Sequence, residues 1–276
     1  MDERLTSRVE VRALTLSYGD DVVLDALSLP IPRGQITVLA GPNGCGKSSL
    51  LRAIRRLHAP LSGQVLLDAE DIATLNGKAL GRKIGLLAQS PSAPQDMTVE
   101  ELVRLGRYPH QAMFQPWSPD DDAAVGAAMV GTGVDDMRHR RIGSLSGGQL
   151  QRAWIAMVLA QQTDTICLDE PVNHLDMAHQ LDCLELVARL NREEGRTIVL
   201  VLHDLNLAAR YADQLVFVHK GKVHRRGAPE DLMVPELIAE VFNVDVAIMT
   251  DPIHQRPLCV PHRRSKTPAE SASEVL

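Results

Sequence analysis

One octapeptide constrains this chain more than any other feature: Gly41-Pro42-Asn43-Gly44-Cys45-Gly46-Lys47-Ser48. It follows a compact apolar run, Gln35 to Ala40, and precedes a segment, Ser48 to Leu57, patterned as a helix. Such a run reads as a strand buried on both faces. A strand that enters a Gly-rich turn and leaves as a helix is the setting in which G-x-x-x-x-G-K-[ST] holds phosphate. The glycines let successive backbone N–H groups curl around an anion, and the helix N-terminus adds partial positive charge. Lys47 can reach the outer phosphates of a nucleotide, and the Ser48 hydroxyl can coordinate Mg²⁺. Ser49 lies in the same first helical turn and joins the expected nucleotide-binding set.

A second element suits the same chemistry. Thr165-Ile-Cys-Leu-Asp-Glu170 reads as a buried strand tipped by two carboxylates. Asp169 is expected to hold Mg²⁺, partly through water. Glu170 is expected to polarise a water attacking the terminal phosphate. Alone, such a pair is most often a cap or a turn; beside a phosphate loop it reads as a hydrolytic site.

The rest of the pattern predicts an α/β fold. Further buried-strand candidates are Ile84 to Gln89 and Thr197 to His203, and Val9, Val11, Leu14, Leu16 and Tyr18 alternate like a half-buried strand. A helix carrying Leu181, Leu184, Val187 and Leu190 on one face ends at Gly195. Strands alternating with helices imply parallel pairing. From about residue 90 to 160 no strand is convincing. Helical segments at Val99 to Arg107, Asp120 to Val130 and Gly148 to Ala160 suggest an inserted helical subdomain. Arg263 to Leu276 is polar and expected to be disordered.

Composition removes several function classes. The 276 residues are 45% hydrophobic and 23% charged, enough to bury a sizeable core. Aromatics make up 3% and the net charge is −6, which argues against a base-stacking or phosphate-tracking surface, so no nucleic-acid partner is expected. Cys45, Cys167, Cys183 and Cys259 form no Cys-x-x-Cys pair and are expected to be reduced thiols of a cytosolic protein. The start, MDERLTSRVE, has no apolar stretch behind its charges, so no signal peptide is expected. The apolar runs fall short of the roughly 20 residues a membrane-spanning helix needs. His174 and His179 are five apart, wrong for a shared helical face, and His110, His139, His219 and His224 lack neighbours at ligand spacing. No metal beyond a nucleotide's Mg²⁺ is expected. Arg138-His-Arg-Arg141 reads as a solvated face and Met137, Met157 and Met177 as core filling. Cys45 sits beside Lys47 at a helix N-terminus, where a thiol pKa is lowered, so reaction with a maleimide is expected.

Leu145-Ser146-Gly147-Gly148-Gln149 lies between the two phosphate-site motifs and opens a helix. Together the three motifs resemble the ATP-binding cassette (ABC) ATPases over about residues 8 to 262. The resemblance implies a P-loop NTPase with a RecA-like core, N-terminal antiparallel β elements and an inserted α-helical subdomain. Tyr18 is similar to the family's aromatic that stacks on adenine. Gln89 is similar to the glutamine that meets Mg²⁺ and the attacking water. Asn173-His-Leu-Asp176 resembles the D-loop and His203 the switch histidine. The implied assembly is a head-to-tail homodimer with two ATPs at its interface. Each ATP would lie between one subunit's phosphate loop and the other's Ser146, Gly147, Gly148 and Gln149. A hydroxyl and glycine N–H groups at a helix start suit a second anion site. Val172 stands where the family usually has Thr, a departure that removes no phosphate or metal ligand.

Gly106-Arg-Tyr-Pro-His-Gln111, Ala156-Met-Val-Leu-Ala-Gln161, the stretch from His203 to Asp213 and the one from Asp251 to Pro261 resemble the ATPase subunits of iron–siderophore, haem and vitamin B12 importers, the ferric-siderophore branch above all. That resemblance implies an integral membrane permease dimer, an extracytoplasmic substrate-binding protein, and a place at the cytoplasmic face of the membrane. A permease helix would dock near Ser90 to Gln111, with Arg107, Tyr108, Pro109 and His110 as its wall. A haem or cobalamin importer remains an alternative. A soluble ABC ATPase of DNA repair or translation fits less well, because those usually carry coiled-coil insertions or tandem cassettes. A regulatory module without turnover is disfavoured by the presence of both Glu170 and His203.

Overall fold

The computed structural model describes residues 7–112, 116–173 and 175–264. Strand β1 (Ser7–Tyr18) turns at Gly19-Asp20 into β2 (Asp21–Pro32), and β3 (Ile36–Ala40) then runs into the phosphate loop and helix α1 (Lys47–Ile54). Strands β4 (Ser62–Leu67) and β5 (Glu70–Asp71) precede α2 (Gly77–Lys83) and β6 (Ile84–Leu87). The insertion holds α3 (Val99–Arg104), a 3₁₀ turn at Leu105–His110, α4 (Pro119–Gly131) and α5 (Gly147–Ala160). There follow β7 (Thr165–Asp169), α6 (Met177–Glu194), β8 (Thr197–Val201), α7 (Leu205–Tyr211), β9 (Gln214–His219) and β10 (Lys222–Gly227). Helices α8 (Pro229–Leu232) and α9 (Pro235–Phe242) lead to a last hairpin, β11 (Val244–Thr250) with β12 (Pro257–Arg264).

The central sheet has six strands in the order β10-β9-β3-β8-β7-β6. Its pairs are parallel except β9 with β10. Because side chains alternate along a strand, each strand feeds two cores. On β8, Ile198 and Leu200 face one, while Val199 and Val201 face the other. On β9, Leu215 and Phe217 take the first side and Val216 and Val218 the second. The first core is covered by α5 and α6, through residues such as Trp154, Ile155, Leu184, Val187 and Leu190. The second is covered by α1 and by a four-stranded antiparallel sheet, β2-β1-β4-β5. That sheet's inward residues include Val9, Val11, Leu14, Leu16, Leu27 and Leu29. The α/β core, the N-terminal antiparallel sheet and the helical insertion expected from the sequence are therefore all observed.

The insertion is helical for a local reason. Thr98, Ser118 and Ser146 each open a helix with a reciprocal capping box, closed by Glu101, Asp121 and Gln149. Each box satisfies two of the N–H groups that a helix start leaves unpaired.

Four expectations about the fold need correction. Met177, expected to fill the core, is 78% exposed at the start of α6. The helix expected over Val99 to Arg107 stops at Arg104 and continues as a 3₁₀ turn containing Pro109, whose ring nitrogen carries no N–H for an α-helical bond. Arg107 is no surface donor: it is 4% exposed and pairs with Asp121 at 2.8 Å, while also donating to the Ala160 carbonyl and the Gln162 side chain. Arg263 and Arg264, expected to be disordered, belong to β12; residues 265–276 lie outside the described residues. The β11–β12 hairpin left little trace in the sequence because its faces are mostly half-buried and its alternation weak.

Asp121 reports on the buried pair. Burial pushes its carboxyl up, but hydrogen bonds from Arg107 and Ser118 outweigh this and hold it below the ordinary carboxylate range. Its contribution to stability is therefore complete above the unfolded carboxylate pKa and fades as pH falls through the lower folded value. Arg107→Ala should lose about 3–5 kcal/mol, because it leaves a buried carboxylate unpaired. Urea unfolding at neutral pH would measure the loss, and an unchanged midpoint would refute it.

Candidate functional site

The C-terminal ends of β3, β7 and β8 lie side by side in the sheet, and the chemistry gathers beyond them. The loop after β3 turns tightly against the β-hairpin. Gly46 has φ +104°, and a Cβ there would meet Leu24 Cδ2 at 2.4 Å and the Val23 carbonyl at 3.0 Å. A side chain at position 46 is thus barred by both backbone and space. The Lys47 ammonium fills the loop's interior, donating to the carbonyls of Gly41 at 2.8 Å and Pro42 at 2.9 Å. An anionic phosphate oxygen is a stronger acceptor for that ammonium than a neutral carbonyl.

Ser48 on the first turn of α1 donates to Asp169 Oδ1 at 2.9 Å. Asp169 closes β7 and is 2% exposed. Burial pushes its carboxyl above the ordinary range; the Ser48 bond opposes this, Glu170 adds to it, and Arg52 and Lys47 pull back. A hydroxyl and a carboxylate side by side are hard oxygen donors of the kind Mg²⁺ takes, and a carboxylate short of positive charge is one that a cation would stabilise. These residues fit the ion. Among the described residues no cluster of three or more His, Cys, Asp or Glu could hold a metal.

Glu170 follows Asp169 in a left-handed conformation, φ +54°. That turn sends its side chain into a ring of donors. Gln89 Nε2 reaches Oε2 at 2.6 Å, Asn173 Nδ2 bonds the same oxygen, and His203 Nε2 lies 2.6 Å from Oε1. A carboxylate only accepts, so Nε2 of His203 carries the proton. A cavity of ≈ 640 Å³ opens over this group, lined by Asn43, Gly44 and the Gly46-to-Ser49 turn, by Gln89, Glu170, Asn173 and His203, and by Val23.

The structure thus unites Lys47, Ser48, Ser49, Asp169, Glu170, Gln89 and His203. Tyr18, Ser146, Gly147, Gly148, Gln149 and Asp176 do not line that cavity. Tyr18 ends β1, 43% exposed. Ser146 lies at an exposed helix start, its hydroxyl accepting from the Gln149 N–H at 3.3 Å. Asp176 caps α6, accepting from the backbone N–H and the ring of His179. Those two bonds hold its carboxyl below the ordinary range. His174, within the expected D-loop, lies outside the described residues. Two participants carried no signal of their own. Asn173 was legible only as part of a motif, three residues beyond Glu170. Val23 reaches the cavity through the pairing of β1 with β2.

Residues 24–173 match the family model described as ABC transporter. The ferric enterobactin transport ATP-binding protein of Escherichia coli is 48% identical over 94% of this chain and 96% of its own length. The petrobactin import ATP-binding protein FpuD of Bacillus anthracis is 47% identical over 97% and 98%. Among solved structures, the dimeric bacterial ABC transporter cassette MJ0796 superposes with a TM-score of 0.71 at 27% identity, covering 80% of this chain and 98% of that one. The same cassette has been solved in a post-hydrolysis state bound to ADP and Pi, with a TM-score of 0.70, 28% identity and the same coverage.

Cys45 departs from expectation. The thiol is 7% exposed, and burial pushes its pKa up by more than the nearby Lys47 charge lowers it. Cys167 and Cys183 are pushed up to about 12, and Cys259 is buried too. The native chain should therefore label slowly with a maleimide at neutral pH and take up four equivalents only when unfolded. Mass spectrometry with and without denaturant would decide; rapid native labelling of Cys45 would reverse the conclusion.

Proposed function

The chain belongs to the ABC transporter family, and on that premise we propose that it is the ATP-hydrolysing subunit that powers import of an iron–siderophore complex through a membrane permease. The carrying observation is the Glu170 carboxylate, gripped by three donors at the rim of the phosphate-loop cavity. The import reading draws on relatives named for ferric enterobactin and petrobactin, which are 48% and 47% identical to this chain. Similar identity across different chelates fits a subunit that never touches the cargo. A permease dimer and an extracytoplasmic binding protein would hold the chelate, and this chain would sit at the cytoplasmic face, attached through the permease.

In this reading the backbone from Gly41 to Gly46, Lys47 and the Ser48–Ser49 turn bind the phosphates of ATP, and Tyr18 stacks on the base. Ser48 and Asp169, joined by the Gln89 carbonyl, would hold Mg²⁺, which supplies charge neutralisation at the phosphate oxygens. A carboxylate offers about four acceptor positions. On Glu170 three are taken by Gln89, Asn173 and His203, so the ring of donors aims the remaining one at the attacking water. Glu170 accepts that water's proton as the water oxygen bonds to the terminal phosphorus and the bond from that phosphorus to the bridging oxygen breaks, leaving ADP and inorganic phosphate. His203, bonded to Oε1, fixes the carboxylate's orientation.

The second anion site requires a second copy. Ser146 and Gly147 are exposed at the start of α5, away from their own phosphate loop's cavity, which suits a partner's terminal phosphate. For the permease, the corrected face keeps Tyr108, 66% exposed, and loses Arg107 to the interior. Tyr108 and Pro109 border a groove with Arg55, Arg56, Lys78 and Arg82, a lining without a carboxylate, which suits the carbonyl end of a helix or an acidic loop.

Glu170→Gln should reduce turnover by about 10²–10⁴-fold while ATP binding survives, since the swap is nearly isosteric. Single-turnover hydrolysis with a parallel binding titration separates the two, and near-normal hydrolysis would overturn the assignment. Ser146→Arg should abolish steady-state hydrolysis yet leave weak binding by the monomer. Wild-type activity would exclude a composite site. Growth on defined ferric chelates, haem and cobalamin by a strain lacking this chain would test the cargo.

A further inference from the structure

His58 is absent from every motif, and it lies against Tyr18. Its ring centroid is 4.5 Å from that of Tyr18, with the planes at 51°. That is a favoured spacing for a tilted aromatic pair. Its Nε2 also lies 2.9 Å from the carbonyl of Ser17, the residue before Tyr18. A carbonyl only accepts, so Nε2 carries the proton and donates, and the ring cannot flip without losing the bond. One side chain thus grips the backbone and the ring of the same platform.

The route by which His58 arrives is itself fixed. Helix α1 ends at Ile54, Arg56 adopts a left-handed conformation at φ +56°, and the Leu57 N–H donates back to the Arg52 carbonyl at 2.7 Å. The Arg56 guanidinium pins this turn by donating to the Ile72 carbonyl at 2.9 Å. At the opposite end of α1, the Ser49 hydroxyl donates to Tyr18 Oη at 3.5 Å. Eight residues of helix are about 12 Å long. The helix whose first turn faces the phosphate loop therefore delivers, past its last turn, the residue that braces Tyr18.

We infer that His58 is a positioning residue for the nucleotide base: it holds Tyr18 in the orientation that stacks on adenine. This rests on the reading of Tyr18 as the base platform. Without His58, the Tyr18 side chain, 43% exposed, keeps the long 3.5 Å bond from Ser49 but loses its packing partner, and a nucleotide has to freeze the ring on binding. With His58 the platform is ordered beforehand, which favours binding and leaves the phosphate chemistry untouched.

The test uses the full chain, with steady-state ATPase kinetics and ATP titrations of Tyr18→Ala, His58→Ala, His58→Phe and the Tyr18→Ala/His58→Ala double variant. His58→Ala should raise KM for ATP by about 3–10-fold, the effect of immobilising one side chain, with kcat within about twofold of wild type. His58→Phe, which restores a ring but not the bond to Ser17, should recover part of the loss. The double variant should match Tyr18→Ala, because both contacts of His58 serve to place that ring. A merely structural role would instead lower kcat and the melting temperature together. If Tyr18→Ala raises KM and His58→Ala does not, or if the two effects multiply, the inference fails while the base platform stands. If Tyr18→Ala leaves KM unchanged, the platform reading falls and the inference falls with it.

Discussion

The central sheet is apolar on both faces, and the remaining architecture answers that requirement. Parallel strands such as β3, β7 and β8 are fully buried, so neither face can meet water. One face takes α5 and α6, the other takes α1 and the antiparallel sheet. With both faces closed and the ladder hydrogen bonds used, polar chemistry is confined to the strand ends. Lys47, Asp169 and Glu170 are there because it is where the sheet leaves room for charge.

Confinement to one edge also explains the economy of the site. Ser48 bonds Asp169 across 121 residues of sequence, and Glu170 gathers donors from the ends of β6 and β8 and from its own following turn. None of these groups needs a long or flexible approach. The left-handed backbone at Glu170 is the device that separates the two adjacent carboxylates. Asp169 stays inward beside Ser48, while Glu170 turns out toward the cavity. A pair that alternated regularly along a strand would also point to opposite sides, but it would bury one member in a core.

Much of this was legible from residue order. The phosphate loop, the Asp169-Glu170 tip, Gln89 and His203 are contiguous motifs or lie at strand ends, and apolar runs mark those strands directly. The helix that begins after Ser146 was legible through the resemblance of Leu145 to Gln149 to a family motif, and the structure shows that Ser146 and Gln149 open it with a capping box. What was not legible depends on distance. His58 meets Tyr18 only after α1 and a left-handed turn bring it back. Arg107 looked like a surface cation because its partners, Asp121, Ala160 and Gln162, lie on α4 and at the end of α5. The Cys45 thiol was misjudged because its sequence neighbours supply charge while its spatial neighbours supply burial, and burial is the larger effect.

One close approach links two surfaces that the sequence treats as separate. A Cβ at Gly148 would meet the His179 ring at 2.4 Å, and that ring is held by Asp176. The starts of α5 and α6 are therefore in direct contact, with no compressible layer between them. A side chain added at Gly148 would therefore displace His179 and, through it, disturb the Asp176 cap of α6.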